Sequence, residues 1–108
     1  MSYDVDIADE CFNYTYNVSA LFYDHMEGGI NSLNGLTGRK ACERIGQCFA
    51  HISDTKNNLW NSKDVGEPKF CAKYDAPNGW GSAVGGLLFL ANIMAACDRH
   101  PRSIVRVS

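Results

Sequence analysis

Cys48 and His51 stand three residues apart in a stretch with helical periodicity. On a helix they share a face, which is the arrangement for two metal ligands or for a thiolate beside its base. Asp24-His25 and Asp98-Arg99-His100 each place a carboxylate beside an imidazole, as a general base and its orienting partner would be. Every one of these patterns also has a plainer reading. Cys48 falls within the apolar stripe of its helix, no second ligand pair of comparable spacing accompanies it, and Cys42 lies near the opposite side. Adjacent residues of a helix do not face each other, and His25 and His100 both sit where a helix C-terminus favours a cation. Gly-x-Ser-x-Gly and Gly-x-x-x-x-Gly-Lys patterns do not occur, and Asn78-Gly79-Trp80-Gly81 ahead of an apolar helix reads as a turn with close packing. The expectation is a chain that is not an enzyme, with no catalytic residues, no metal and no cofactor. The alternative is a small thiol-dependent enzyme or metal-binding factor that uses Cys48 and His51.

Recognition chemistry is better represented. Phe12-Asn13-Tyr14-Thr15-Tyr16-Asn17, followed by Phe22-Tyr23, combines large aromatic contact area with adaptable amide hydrogen bonding. Asparagines that cap the chain and tyrosines that alternate into the core explain the same segment. Tyr14, Tyr16 and Tyr23 are the candidate binding residues, with the Trp80 turn as a second patch. Arg39, Lys40 and Arg44 form a short basic stripe interrupted by Glu43, but a net charge of -2 and a pI near 5.8 supply no field to attract a phosphate backbone. General nucleic-acid binding is not expected.

These side chains need elements to hold them. Tyr3, Val5 and Ile7 alternate with Asp4, Asp6 and Ala8, and Ile104 to Val107 has the same β-branched character, so a short strand is expected at each terminus and the two are expected to pair. Ser19 is placed to cap a short aromatic helix, Ala20 to Met26, stopped by Gly28-Gly29. A second helix starts after Thr37 and carries Ala41, Ile45, Cys48, Phe49, Ile52, Leu59 and Trp60 on one face. A third runs from about Ser82 to Arg99. Val84, Leu87, Leu88, Ala91, Met94 and Ala95 form one stripe of it, and Phe89, Leu90, Ile93 and Cys97 widen that stripe into the surface of a central helix. The long connection from about 61 to 81 carries Phe70, Cys71, Tyr74 and Trp80 and is expected to pack on the body. The fold class is α+β: about three helices packed on a small two-stranded antiparallel sheet formed by the N- and C-terminal strands, in a single compact domain over residues 1–108.

With 108 residues, 45% of them apolar and 20% charged, the chain is long enough to bury one core without staples. The five cysteines are odd in number and form no Cys-x-x-Cys pair, the pattern of reduced, buried thiols; a reducing compartment also leaves the sequons at Asn13 and Asn17 without meaning. The N-terminus lacks the cationic start and apolar run of a secretory signal. Val84 to Cys97 is about 14 residues of mostly apolar helix, short of the roughly 20 that span a bilayer, so no membrane is expected. The breadth of that helix raises the possibility of a self-association face, hence of a homo-oligomer.

Several segments together carry a resemblance: Asn13-Tyr-Thr-Tyr-Asn-Val-Ser19, Phe22-Tyr23, Gly29-Ile30, Leu33-Asn-Gly-Leu-Thr-Gly38, Asn78-Gly-Trp-Gly81, and the ending Ala95-Ala-Cys-Asp-Arg-His-Pro101 to Val105-Arg-Val-Ser108. In these, over nearly its whole length, the chain resembles a group of small uncharacterised proteins of tailed bacteriophages and prophages. Acidic and aromatic residues commonly follow the Asn-Gly-Trp-Gly turn in that group, whereas Ser82, Ala83 and Val84 stand there in this chain, so no acidic role transfers to those positions. The resemblance implies an accessory protein in the cytoplasm of an infected bacterium, binding a host or defence-system protein as an inhibitor of the anti-CRISPR kind does, by analogy of size and origin.

Overall fold

The computed structural model describes residues 2–60 and 73–108. Alternation at the N-terminus produces β1, Ser2–Ile7, in which Tyr3, Val5 and Ile7 are buried. This strand lies in the middle of an antiparallel sheet. On one side it meets the C-terminal strand as expected, Val5 opposite Val107 and Asp6 opposite Arg106, while the backbones of Asp4 and Ser108 exchange hydrogen bonds of 3.1 and 2.9 Å. On the other side runs β2, Glu10–Thr15, with Tyr3 opposite Tyr14 and Val5 opposite Phe12. The sheet therefore has three strands and not two. Its hairpin connection is Ala8-Asp9, with Ala8 at φ 53°, and it lacks the Asn-Gly or Asp-Gly signature by which such turns are read. β3 is limited to Arg106–Val107, because Ile104 pairs only with Thr37 and the buried Val105 bonds to Leu36 and Gly35.

Helix α1, Ser19–His25, starts without the cap expected of Ser19. The Ser19 hydroxyl donates to the Tyr16 carbonyl at 2.6 Å and accepts from the Tyr3 hydroxyl at 2.7 Å, tying the helix to the sheet. The helix ends one residue sooner than expected, at an extended Met26, and the left-handed Gly28 and Gly29, at φ 79° and 61°, turn the chain just beyond it. Helix α2, Gly38–Trp60, begins as expected, the Thr37 side chain accepting from the Lys40 amide. Ala41, Ile45, Cys48 and Ile52 face inward; the side chains of Leu59, Trp60, Phe70 and Cys71 lie outside the described part. Helix α3, Ala83–Arg99, is capped by Ser82, whose hydroxyl accepts from the Gly85 amide at 2.9 Å.

The two long helices run antiparallel. Gly38, at the start of α2, lies so close to the Cys97 and His100 carbonyls at the end of α3 that a Cβ there would sit 2.8 Å from the first of them. The core lies between this pair and the sheet, with Phe22, Ile45, Leu90, Ile93 and Val105 fully buried. In α3 the inward face is Gly86, Phe89, Leu90, Ile93, Ala96 and Cys97. The expected main stripe is split: Leu87 and Met94 pack against the core from its edge, while Val84 and Leu88 are 52% and 60% exposed. The helix thus carries two apolar faces, and the domain covers one. No helix among the described residues is long and apolar enough to cross a membrane.

Candidate functional site

Residues 75–82 form a turn whose backbone is held from several directions. Within it, the Ala76 amide donates to the Gly81 carbonyl and the Gly79 amide to the Ala76 carbonyl. Gly79 and Gly81 have φ values of 78° and 116°, which favour glycine. Asparagine side chains fix both backbone groups of Trp80: Asn78 accepts from its amide at 3.0 Å, and Asn17, 63 residues earlier in the chain, donates to its carbonyl at 3.0 Å. The Tyr14 hydroxyl accepts from the Ser82 amide at 2.9 Å and donates to the Ser82 carbonyl at 3.3 Å, with its ring stacked on Phe89. Asp75 accepts from the Ala83 amide at 2.7 Å, which satisfies one of the otherwise orphaned donors at the start of α3. From this frame the Trp80 side chain projects 73% exposed, beside a shallow cleft lined by Tyr14, Asp75, Ala76, Gly79, Gly81 and Ser82.

A second cluster joins α1, α2 and the segment around Tyr74. The Tyr74 hydroxyl donates to Asp24 at 2.8 Å, so its one proton is committed and it accepts from His25 Nε2 at 3.0 Å. Burial, reinforced by the neighbouring His51, holds the His25 pKa below its ordinary value, and the ring is neutral with its proton on Nε2. Its Nδ1 then accepts from His51 Nδ1, 2.6 Å away. Lys73 lies 3.6 Å from Asp24. Burial and the bond to Asp24 push the Tyr74 hydroxyl well above the usual phenol range, so it remains protonated. His25, Arg44, Cys48 and His51 line an adjoining cleft of about 290 Å³.

These contacts revise several expectations. His25 is a buried neutral ring and not a cation at a helix end. Asp24 and His25 do not meet as neighbours, yet Tyr74 connects them. His100 binds Glu10 at 2.9 Å, and Arg99 grips the same carboxylate with both Nη2 and Nε, at 2.5 and 3.2 Å. Cys48 and His51 do border one cleft, but Cys48 is buried and desolvation raises its thiol pKa to about 11, the opposite of what a nucleophile or a thiolate ligand requires. Among the described residues, no group of three or more His, Cys, Asp or Glu side chains could hold a metal ion. In the basic stripe, Arg44 donates to the Ser32 hydroxyl and the Glu27 carbonyl and Arg39 pairs with Glu43.

Of the four candidate binding residues, Tyr14 and Trp80 come together in the turn and Tyr16 adjoins it through Asn17. Tyr14 and Tyr16 are half-buried, and Tyr16 packs edge-on against Tyr3 at 4.3 Å. Tyr23 is 53% exposed but lies over Gly29, away from this group. Asn17 and Asp75 were not anticipated as parts of the turn. Their bonds cross 63 and 8 residues respectively, and no local spacing announces them. Comparison of the chain with protein-family models, with curated proteins and with solved structures gave no match.

Proposed function

We propose that this chain is a non-enzymatic protein-binding module that inserts Trp80 into a pocket of its partner. The observation that carries this reading is the contrast between a 73% exposed indole and the fully bonded backbone beneath it. Tryptophan is the side chain most often found at the energetic centre of protein interfaces. A knob whose backbone is fixed before contact loses little conformational freedom on docking. Tyr14 and Asn17 position the knob, Tyr16 supports it, and Tyr23 offers a separate exposed contact. The partner class that the phage resemblance implies is a bacterial defence or host protein, blocked by stoichiometric contact. The raised Cys48 thiol speaks against the competing thiol-enzyme reading.

Affinity capture from bacterial lysate tests the proposal with the wild-type chain and Trp80→Ala side by side. A specific protein retained by the wild type and lost with W80A, at unchanged circular dichroism, is the expected result. No retained protein, or equal retention by both, overturns it.

A further inference from the structure

We propose that Asn78 is a self-modification site: the amide nitrogen of Gly79 attacks the Asn78 carboxamide, and the turn that frames Trp80 is rewritten as a result. Two Asn-Gly pairs occur in the chain, Asn34-Gly35 and Asn78-Gly79. In each, the attacking nitrogen belongs to a glycine and is not shielded by a Cβ. Sequence makes the two pairs equally reactive, and the fold sets them apart. At Asn34 both reacting groups are tied to the far end of the chain. The Gly35 amide donates to the Val105 carbonyl at 2.8 Å, and Asn34 Oδ1 accepts from the Val107 amide at 3.0 Å. Attack there must first separate the C-terminal segment from the loop that holds it.

At Asn78 the ties are local. The Gly79 amide donates to the Ala76 carbonyl at 3.1 Å, within a single turn, and Asn78 is exposed. Asn78 Oδ1 accepts from the Trp80 amide at 3.0 Å, which folds the carboxamide over the peptide that follows it. That bond assists the attack, because an N–H aimed at Oδ1 stabilises the charge this oxygen gains as Cγ becomes tetrahedral. Only the link between Gly79 and Ala76 has to open. The nitrogen of Gly79 then bonds to Asn78 Cγ, the bond from Cγ to Nδ2 breaks, and the Gly79 proton leaves with Nδ2 as ammonia. Water opens the resulting cyclic imide at either carbonyl. Opening at Cγ leaves aspartate, whose carboxylate still accepts from the Trp80 amide. Opening at the main-chain carbonyl leaves isoaspartate, whose backbone runs through the Cβ methylene and shifts Gly79 and Trp80 away from Ala76 and Asn17.

Ageing the wild-type chain at mildly alkaline pH, in buffer and in denaturant, tests the proposal. Peptide mapping by mass spectrometry follows the exchange of NH2 for OH at each pair. In the folded chain Asn78 is expected to convert at least about tenfold faster than Asn34, the ratio being set by the smaller local opening it needs. In denaturant the two rates are expected to converge. The isoaspartate form, separated by ion exchange, is expected to show faster hydrogen exchange at the Trp80 amide than the fresh chain. Equal rates at the two pairs in the folded chain overturn the proposal, as does a difference that persists in denaturant or a Trp80 amide whose exchange is unchanged in the isoaspartate form. None of these measurements involves a partner, so their failure is distinguishable from failure of binding through Trp80.

Discussion

The Trp80 turn and the His25–His51 cluster are both held by side-chain hydrogen bonds between distant segments, but they place their protons differently. In the turn, Asn17, Asn78, Asp75 and Tyr14 all bond to backbone amides or carbonyls, whose polarity is fixed. In the cluster, His25, His51, Tyr74 and Asp24 bond to one another, and each link depends on which ring or oxygen holds a hydrogen. The first arrangement gives a rigid display on backbone donors and acceptors. The second gives a joint whose bonding is a function of proton count. One molecule thus shows how similar numbers of polar contacts produce either a presented surface or a pH-dependent strut.

The largest effect expected from breaking this contrast comes from Gly85→Ala. A Cβ there would collide with the Tyr14 hydroxyl and lie 2.7 Å from its Cζ, and the ring cannot retreat while it bonds Ser82 and stacks on Phe89. Overpacking of this kind costs about 1–3 kcal/mol. Urea denaturation should show that loss, and capture through Trp80 should fall with it. Tyr14→Phe is milder. It deletes the partner of the Ser82 amide without adding bulk, at about 1 kcal/mol for a partly buried donor. Its deficit should be the same at pH 5 and pH 7, because the group left without its partner is a backbone amide of fixed polarity. A deficit that varied over this range would erase the distinction between the regions.

How much of this was legible in the sequence depended on whether the cause was local. The start of α2 at Thr37 and the left-handed Gly28-Gly29 pair just beyond α1 follow from residues within a few positions of one another, and both are present. The pairing of the chain termini was also readable, since two short β-branched strands have few other partners. β2 was missed because Ala8 adopts a left-handed conformation that alanine seldom takes, so the hairpin turn carries no compositional sign. The inward and outward faces of α3 were merged because both are apolar, and only the positions of β1, β2 and α2 decide which is covered. Trp80 was legible as a turn residue. Its display was not, since it depends on Asn17. His25 looked like a helix-end cation because Tyr74 and His51, which bury and orient it, are distant in the chain.

Acidification gives the next effect in size. His25 has a folded-state pKa below its unfolded value of about 6.5, so the unfolded chain binds the proton more readily. Stability from this group is complete above pH 6.5 and declines as pH falls through that value towards the folded pKa. The midpoint of thermal unfolding should therefore drop between pH 7 and pH 5, and His25→Gln should flatten the slope. The Glu10 carboxylate, held below its usual range by Arg99 and His100, contributes above about pH 4.5 and is lost below it. Its window is separate. A thermal midpoint independent of pH from 7 to 5 would remove His25 from this role.

The smallest expected change concerns Cys48, which borders the histidine cleft without taking part in its proton chemistry. Its thiol is buried, and desolvation raises its pKa to about 11, with Arg44 offsetting only part of the rise. Near neutral pH almost none of it is thiolate, the form that reacts. Cys97 is buried with a similar pKa of about 11, whereas Cys11 is exposed and Cys42 half-buried. Among the four described cysteines, iodoacetamide at pH 7.5 should therefore label Cys11 first and Cys42 more slowly, and should reach Cys48 and Cys97 only when denaturant unfolds the chain, as peptide mapping by mass spectrometry would show. Lowering the pH to 5 loosens the histidine joint but also depletes thiolate further, so labelling of Cys48 in the folded protein should remain undetectable. Rapid native-state alkylation of Cys48 would mean that the cleft beside His25 and His51 opens to its floor, and the cluster would then have to be read as a reactive site instead of a strut.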